Sequence, residues 1–177
     1  MSKILVVSGS PSTASRTEQL GEVVTDRLVE LGWHAEHLAV RTLPAGPLMR
    51  AEGKHPEIAE AVGRVAVADG IVLATPTYQA SFSGLLKSFL DLLPQSGFAG
   101  KTVLPLATGG GTAHVLMLDY ALRPVAQALA SRHVVRGFFL SDAHMASVRG
   151  RWWLSEPGAE GVEGVVREFV EALSVPA

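Results

Sequence analysis

Apolar residues along this chain fall into two alternating rhythms. Short unbroken runs, such as residues 3–8 (KILVVS) and 70–74 (GIVLA), are rich in β-branched side chains. Unbroken apolar runs of this length predict strands buried on both faces. Between them lie longer stretches with helical spacing. Residues 15–31 place Leu20, Val23, Val24, Leu28 and Leu31 on one face, and Gly32 follows in the position that stops a helix. The same reading predicts strands at 33–40, 102–107 and 134–140. It predicts helices at 56–68, 82–93, 113–131 and 161–173. Residues 41–55 carry Pro44, Gly46, Pro47 and Gly53 and read as a loop.

Five strands alternating with helices predict an α/β fold with a parallel sheet covered on both faces. The expected form is a flavodoxin-like doubly wound sheet in the order 2-1-3-4-5, as one domain over residues 1–177. Ligands of such sheets sit outside the carboxyl ends of the strands, where the strand order reverses. The loops after Ser8, Ala74 and Ala107 are therefore the places to look for chemistry.

Composition narrows the classes. Apolar residues make up 47% of the 177, enough for a sizeable core, and charged residues make up 18%. A formal net charge of −2 gives no electrostatic reason to expect nucleic acid or an anionic membrane as partner. There are no cysteines, so disulfides, thiolate metal sites and cysteine nucleophiles are excluded. The apolar run after Met1-Ser2-Lys3 is too short for a signal-peptide core or a bilayer span, and a cytoplasmic protein is expected.

The first loop, Ser8-Gly9-Ser10-Pro11-Ser12-Thr13-Ala14-Ser15-Arg16-Thr17, is dense in hydroxyls and carries one cation at the start of a helix. Hydroxyls, free N–H groups and the helix dipole together suit an anion, and Arg16 adds a charge-assisted bond. The segment is neither G-x-G-x-x-G nor G-x-x-x-x-G-K-[ST], so a terminal monophosphate fits better than a dinucleotide or ATP. A solvated turn with Ser15 capping the helix is the plainer alternative. The second loop runs from Thr75 to Gly84. Pro76 is expected to end the strand, and Thr77 and Tyr78 to offer amides and an aromatic face to a planar ligand. The third contains Gly109-Gly110-Gly111 between Thr108 and Thr112. Glycines let a flat ring lie against the main chain. Thr112 is expected to cap the next helix, whose positive end would face the ring's negative charge. Within that helix Pro124 withholds an N–H from the Tyr120 carbonyl, so a proline kink or a π-bulge is expected there.

The runs GSPSTASRT, TPTYQASFSGLLKSFLDLLP and GKTVLPLATGGGTAHVLMLDYALRPV together resemble the NADPH-dependent FMN reductases. The chain looks most like the reductase component of two-component alkanesulfonate monooxygenase systems. The resemblance covers roughly the first 140 residues, in register with the strands of a doubly wound sheet. It implies FMN and NADPH (or NADH) as cofactors, hydride transfer as the reaction, and a flavin-dependent monooxygenase as the partner that receives reduced FMN. It also implies a homo-oligomer, dimer or tetramer. Ser10, Ser15, Arg16 and Thr17 would hold the FMN phosphate. Pro76, Thr77, Tyr78 and Gln79 would touch the ribityl chain and ring, beside Thr108, Gly109, Gly110, Gly111 and His114. Two positions depart from relatives: Ser12 stands where many have Arg, and Gln79 where some have Lys. In such relatives a π-helix carries a tyrosine at the position of Tyr120, near the flavin and an oligomer interface, and goes with FMN that dissociates as a substrate.

The residues leave rivals open: a quinone or azo-dye reductase with tightly held FMN, an electron carrier, or an interaction module. Carriers are usually strongly acidic, and a pI near 6.3 argues against one. His114 reads as a hydrogen-bonded neighbour of the ligand rather than a catalyst. His34 and His37, three apart on a strand, face opposite sides and make no metal pair. Trp152 and Trp153 read as interface or lid residues, or as surface packing.

Overall fold

The computed structural model describes residues 2–148 and 151–174. Its main sheet holds β1 (Lys3–Ser8), β2 (His34–Ala39), β3 (Gly70–Tyr78), β4 (Ser81–Phe82), β5 (Thr102–Gly109), β6 (His133–Val134) and β7 (Phe138–Ser141). The helices are α1 (Arg16–Glu30), α2 (Ala45–Met49), α3 (Pro56–Val67), α4 (Gly84–Leu90), α5 (Arg123–Ala128) and α6 (Glu156–Ser174). A separate antiparallel hairpin, β8 (Met145–Val148) and β9 (Arg151–Leu154), precedes α6.

The sheet follows the path β2-β1-β3-β5-β6, parallel throughout, with β7 also on β5 and β4 antiparallel to β3. Side chains alternate across it. Ile4, Val6, Val72, Ala74, Leu104 and Leu106 meet α1 and α6 on one face. Leu5, Val7, Ile71, Leu73, Val103 and Ala107 meet α3, α4 and α5 on the other. Helices therefore cover both faces, as the unbroken apolar strands predict.

The sheet is not the five-stranded 2-1-3-4-5 array expected from the sequence, and two prolines account for the difference. Val135 N–H reaches the Val103 carbonyl at 3.0 Å, so Val103 faces the fifth strand position. Pro105, two residues on, faces the same way and has no N–H to give. The strand expected at 134–140 accordingly breaks into β6 and β7. Gly137 lies in the gap, where a Cβ would come 3.0 Å from the Pro105 carbonyl oxygen. Pro76 does not end β3 as expected. Ala74 presents its carbonyl to Gly9 N–H at 2.9 Å, just past the end of β1. Pro76 faces the same side beyond that end, so its missing N–H breaks no ladder, and β3 runs on to Tyr78 before turning back as β4.

Two helices start as their sequences dictate. Ser15 caps α1 by accepting from Glu18 N–H at 3.1 Å, and Pro56 opens α3. Ser83 caps α4, accepting from Leu86 N–H at 3.1 Å. The loop expected at 41–55 contains the short α2. The long helix expected at 113–131 is instead three pieces: a 3-10 turn (Thr112–His114), a π-helix (Leu118–Leu122) and α5. Thr112 caps nothing, since the turn has Gly111 before it and no side-chain cap. The π turn forms because Arg123 N–H reaches back five residues to the Leu118 carbonyl, while Pro124 has no N–H to offer Tyr120.

One tight join in this scaffold lies where α4 meets the end of β1. A Cβ on Gly9 would overlap the Leu86 Cβ, and the Ser83 hydroxyl donates to the Gly9 carbonyl. Gly9→Ala is therefore expected to lower unfolding stability by about 1–3 kcal/mol, the usual cost of overpacking. Urea denaturation checks this; an unchanged midpoint would mean that α4 yields without cost.

Candidate functional site

The carboxyl ends of β1, β3 and β5 each lead into a loop, and the three loops enclose a cleft of about 270 Å³. One wall is the start of α1. The hydroxyl oxygens of Ser10, Ser12 and Ser15 accept from the N–H groups of Ser12, Ala14 and Glu18 at 3.3, 3.3 and 3.1 Å. Each hydroxyl proton is left to donate to a ligand. The first-turn N–H groups of α1 add donors and the positive end of the helix dipole. Glu18 would oppose an anion there, but Arg41 holds it in two bonds of 2.6 and 2.8 Å.

Arg16 brings the cation. Its guanidinium lies 5.9 Å from the ring centroid of the half-buried Trp152, and 3.8 Å from an Asp142 carboxylate oxygen. Thr17 plays a different part. Its buried hydroxyl meets that of Thr108 at 2.6 Å, tying the first loop to the third. The second loop is closed on itself by Thr75, which accepts from Ser83 N–H at 2.9 Å, and is tied to the first by the Ser83 hydroxyl, which donates to the Gly9 carbonyl.

The other half of the cleft is shaped for a flat group. β3 and β4 are joined by Gln79 and Ala80, with φ of 48° and 59°. Positive φ at both residues is the mark of the primed turns that close tight hairpins. The turn leaves Tyr78 47% exposed at the cleft edge. The Thr77 hydroxyl is buried there without a protein partner. Gly109 packs closely, since a Cβ would come 3.0 Å from Phe139 and 3.4 Å from Thr77. Gly110 has open space where its Cβ would be.

Ser10, Ser15, Arg16, Thr17, Pro76, Thr77, Tyr78, Thr108, Gly109 and Gly110 line this one cleft. Gln79, Gly111 and His114 lie in the same loops but outside its lining, and His114 is exposed. Tyr120 lies on the π-helix, 79% exposed, and that helix packs against β4. Asp142 lines the cleft although the sequence reading passes over it. Its signal was the rule that ligand-facing residues follow strand ends, which the sequence reading applied only to the loops after Ser8, Ala74 and Ala107. Trp152 packs against the core and under Arg16, while Trp153 is 58% exposed.

Two ionisable groups near the scaffold are perturbed by burial. His37 is pushed below its ordinary value, so it stays neutral beside the Ser8 hydroxyl at 2.9 Å. Burial also lowers Lys101, which donates to the Ala66 and Ala68 carbonyls at 3.0 and 2.6 Å. Both brace strand ends and neither lines the cleft.

The geometry thus joins an anion cradle to a slot for a planar group, with an orphan hydroxyl in the wall. A flavin mononucleotide has that shape and charge distribution. The family model for NADPH-dependent FMN reductase matches residues 2–145. An FMN reductase (NADPH) from Pseudomonas putida is 42% identical over 147 residues, 83% of this chain and 75% of the relative. An NADH-dependent FMN reductase, SfnE, from Pseudomonas putida is 36% identical over 153 residues, 82% of this chain and 80% of the relative. The crystal structure of an NADH:FMN oxidoreductase (EMOB) in its apo form superposes with a TM-score of 0.90 at 39% identity, covering 99% of this chain and 92% of that one. This flavodoxin-like α/β chain belongs to the NADPH-dependent FMN reductase family.

Proposed function

We propose that the protein is an NAD(P)H-dependent FMN reductase that supplies reduced flavin to a flavin-dependent monooxygenase. The observation that carries this reading is the union, in one cleft, of the α1 anion cradle with the slot bounded by Tyr78 and Gly109–Gly110. FMN supplies the ring that accepts hydride from the nicotinamide. The protein's part is binding and placement. Ser10, Ser15 and Arg16 hold the phosphate, and Thr77 donates its free hydroxyl to the flavin. Tyr78 and Gly110 leave one ring face open for the nicotinamide. Relatives named for NADPH and for NADH both occur, and either coenzyme suits this chemistry.

Release of FMN as a substrate rests on the π-helix. Tyr120 protrudes beside the exposed Val115 and Leu116. This apolar strip suits a subunit interface of a dimer or tetramer. Through its packing on β4, the π turn sets the flavin-side hairpin in the form from which FMN exchanges.

Arg16→Gln is expected to weaken FMN by about 1.5–3 kcal/mol, the worth of a charged hydrogen bond. Riboflavin, which lacks the phosphate, should bind as before. Equal loss for both flavins, measured by fluorescence titration, would place the phosphate elsewhere. Deletion of Tyr120 is expected to restore ordinary helical register to the residues that follow it. The variant is expected to purify yellow, with flavin that NADPH reduces but that is not released. A colourless, folded deletion variant with unchanged turnover on free FMN would contradict the role given to the π turn.

A further inference from the structure

We propose that Asp142 sets how readily FMN leaves, by opposing the phosphate across the cation that holds it. This rests on the reading that the FMN phosphate sits at Arg16. Among the described residues lining the cleft, Arg16 and Asp142 are the two that carry charge at neutral pH. They face each other at 3.8 Å. Glu18 at the same helix start is already neutralised by Arg41. The cradle that receives a phosphate of between one and two negative charges is therefore close to neutral, not positive.

The arrangement has two consequences. Without ligand, Asp142 and the Trp152 ring hold the Arg16 guanidinium at the cleft wall, so little ordering is needed when FMN arrives. With ligand, phosphate and carboxylate share one guanidinium and lie within a few ångströms of each other, well inside the screening length of about 8 Å. Their repulsion raises the dissociation rate, which suits a flavin handed on rather than kept. Asp142 is thus a specificity-determining residue that acts on the phosphate and not on the ring. It opens the 3-10 turn Asp142–His144, capped by the Ser141 hydroxyl, and an amide of the same shape leaves that turn intact.

The test is titration of the wild type, D142N and R16Q proteins with FMN and riboflavin at low and high salt. For D142N the account expects FMN to bind about tenfold more tightly, with riboflavin unchanged. The gain should shrink as salt is raised, and steady-state turnover on free FMN should become limited by release. Unchanged or weaker FMN binding in D142N overturns the proposal. So does an equal change for both flavins, which would make Asp142 a partner of the ribityl chain or ring. If R16Q loses no affinity for FMN, the phosphate is not at Arg16, and both this proposal and the reading beneath it fall. If R16Q loses FMN selectively while D142N matches the wild type, this proposal alone fails.

Discussion

The hydroxyl of Ser83 is the joint on which the cleft depends. It donates to the Gly9 carbonyl and accepts from Leu86 N–H, while Ser83's own N–H goes to Thr75. One buried residue so joins the end of β1, the carboxyl half of β3 and the start of α4. The contact is possible only because Gly9 has no Cβ to strike Leu86. The Thr17–Thr108 pair then locks β5 to α1. Three loops that would otherwise move independently become a single preformed surface, which is what rapid binding and release of a small ligand requires.

Charge in this surface is arranged with restraint. Arg41 pairs with Glu18 and Asp142 faces Arg16, so in the proposed reading one offset cation meets the phosphate. In that reading hydroxyls, amides and the helix dipole carry much of the anion recognition. Such donors give selectivity for a phosphate without the grip of several arginines. The proposed role of the π turn, which packs on β4, would add a second bias at the ring side of the cleft. Both proposals describe a flavin that visits and departs.

Much of this was legible in the sequence because the signals were local. The apolar runs place strands β1, β3 and β5 close to where they fall, and Ser15, Gly32 and Pro56 mark helix ends. The three loops follow from the strands, and ten of the residues picked from them share one cleft. What escaped depends on pairing between strands. Pro105 interrupts the fifth strand only because of which neighbour it faces, and no run of apolar residues records that. The extension of β3 past Pro76 has the same origin, since the proline is tolerated only where β1 has ended. Asp142 escaped because the loop after the fifth strand was not among those three. The break at Tyr120 was foreseen from Pro124, yet the further division at Thr112–His114 was not, since a helical pattern of apolar residues does not show where backbone bonds fail.

The central claim is that the cleft at the ends of β1, β3 and β5 is the FMN site. A crystal structure of the protein soaked with FMN tests it most directly. The account predicts the phosphate at the start of α1, within hydrogen-bonding distance of Ser15 and Arg16, and the ring between Tyr78 and Gly109–Gly110. Flavin seated elsewhere, or a phosphate out of reach of Arg16 with the ring in solvent, would contradict it.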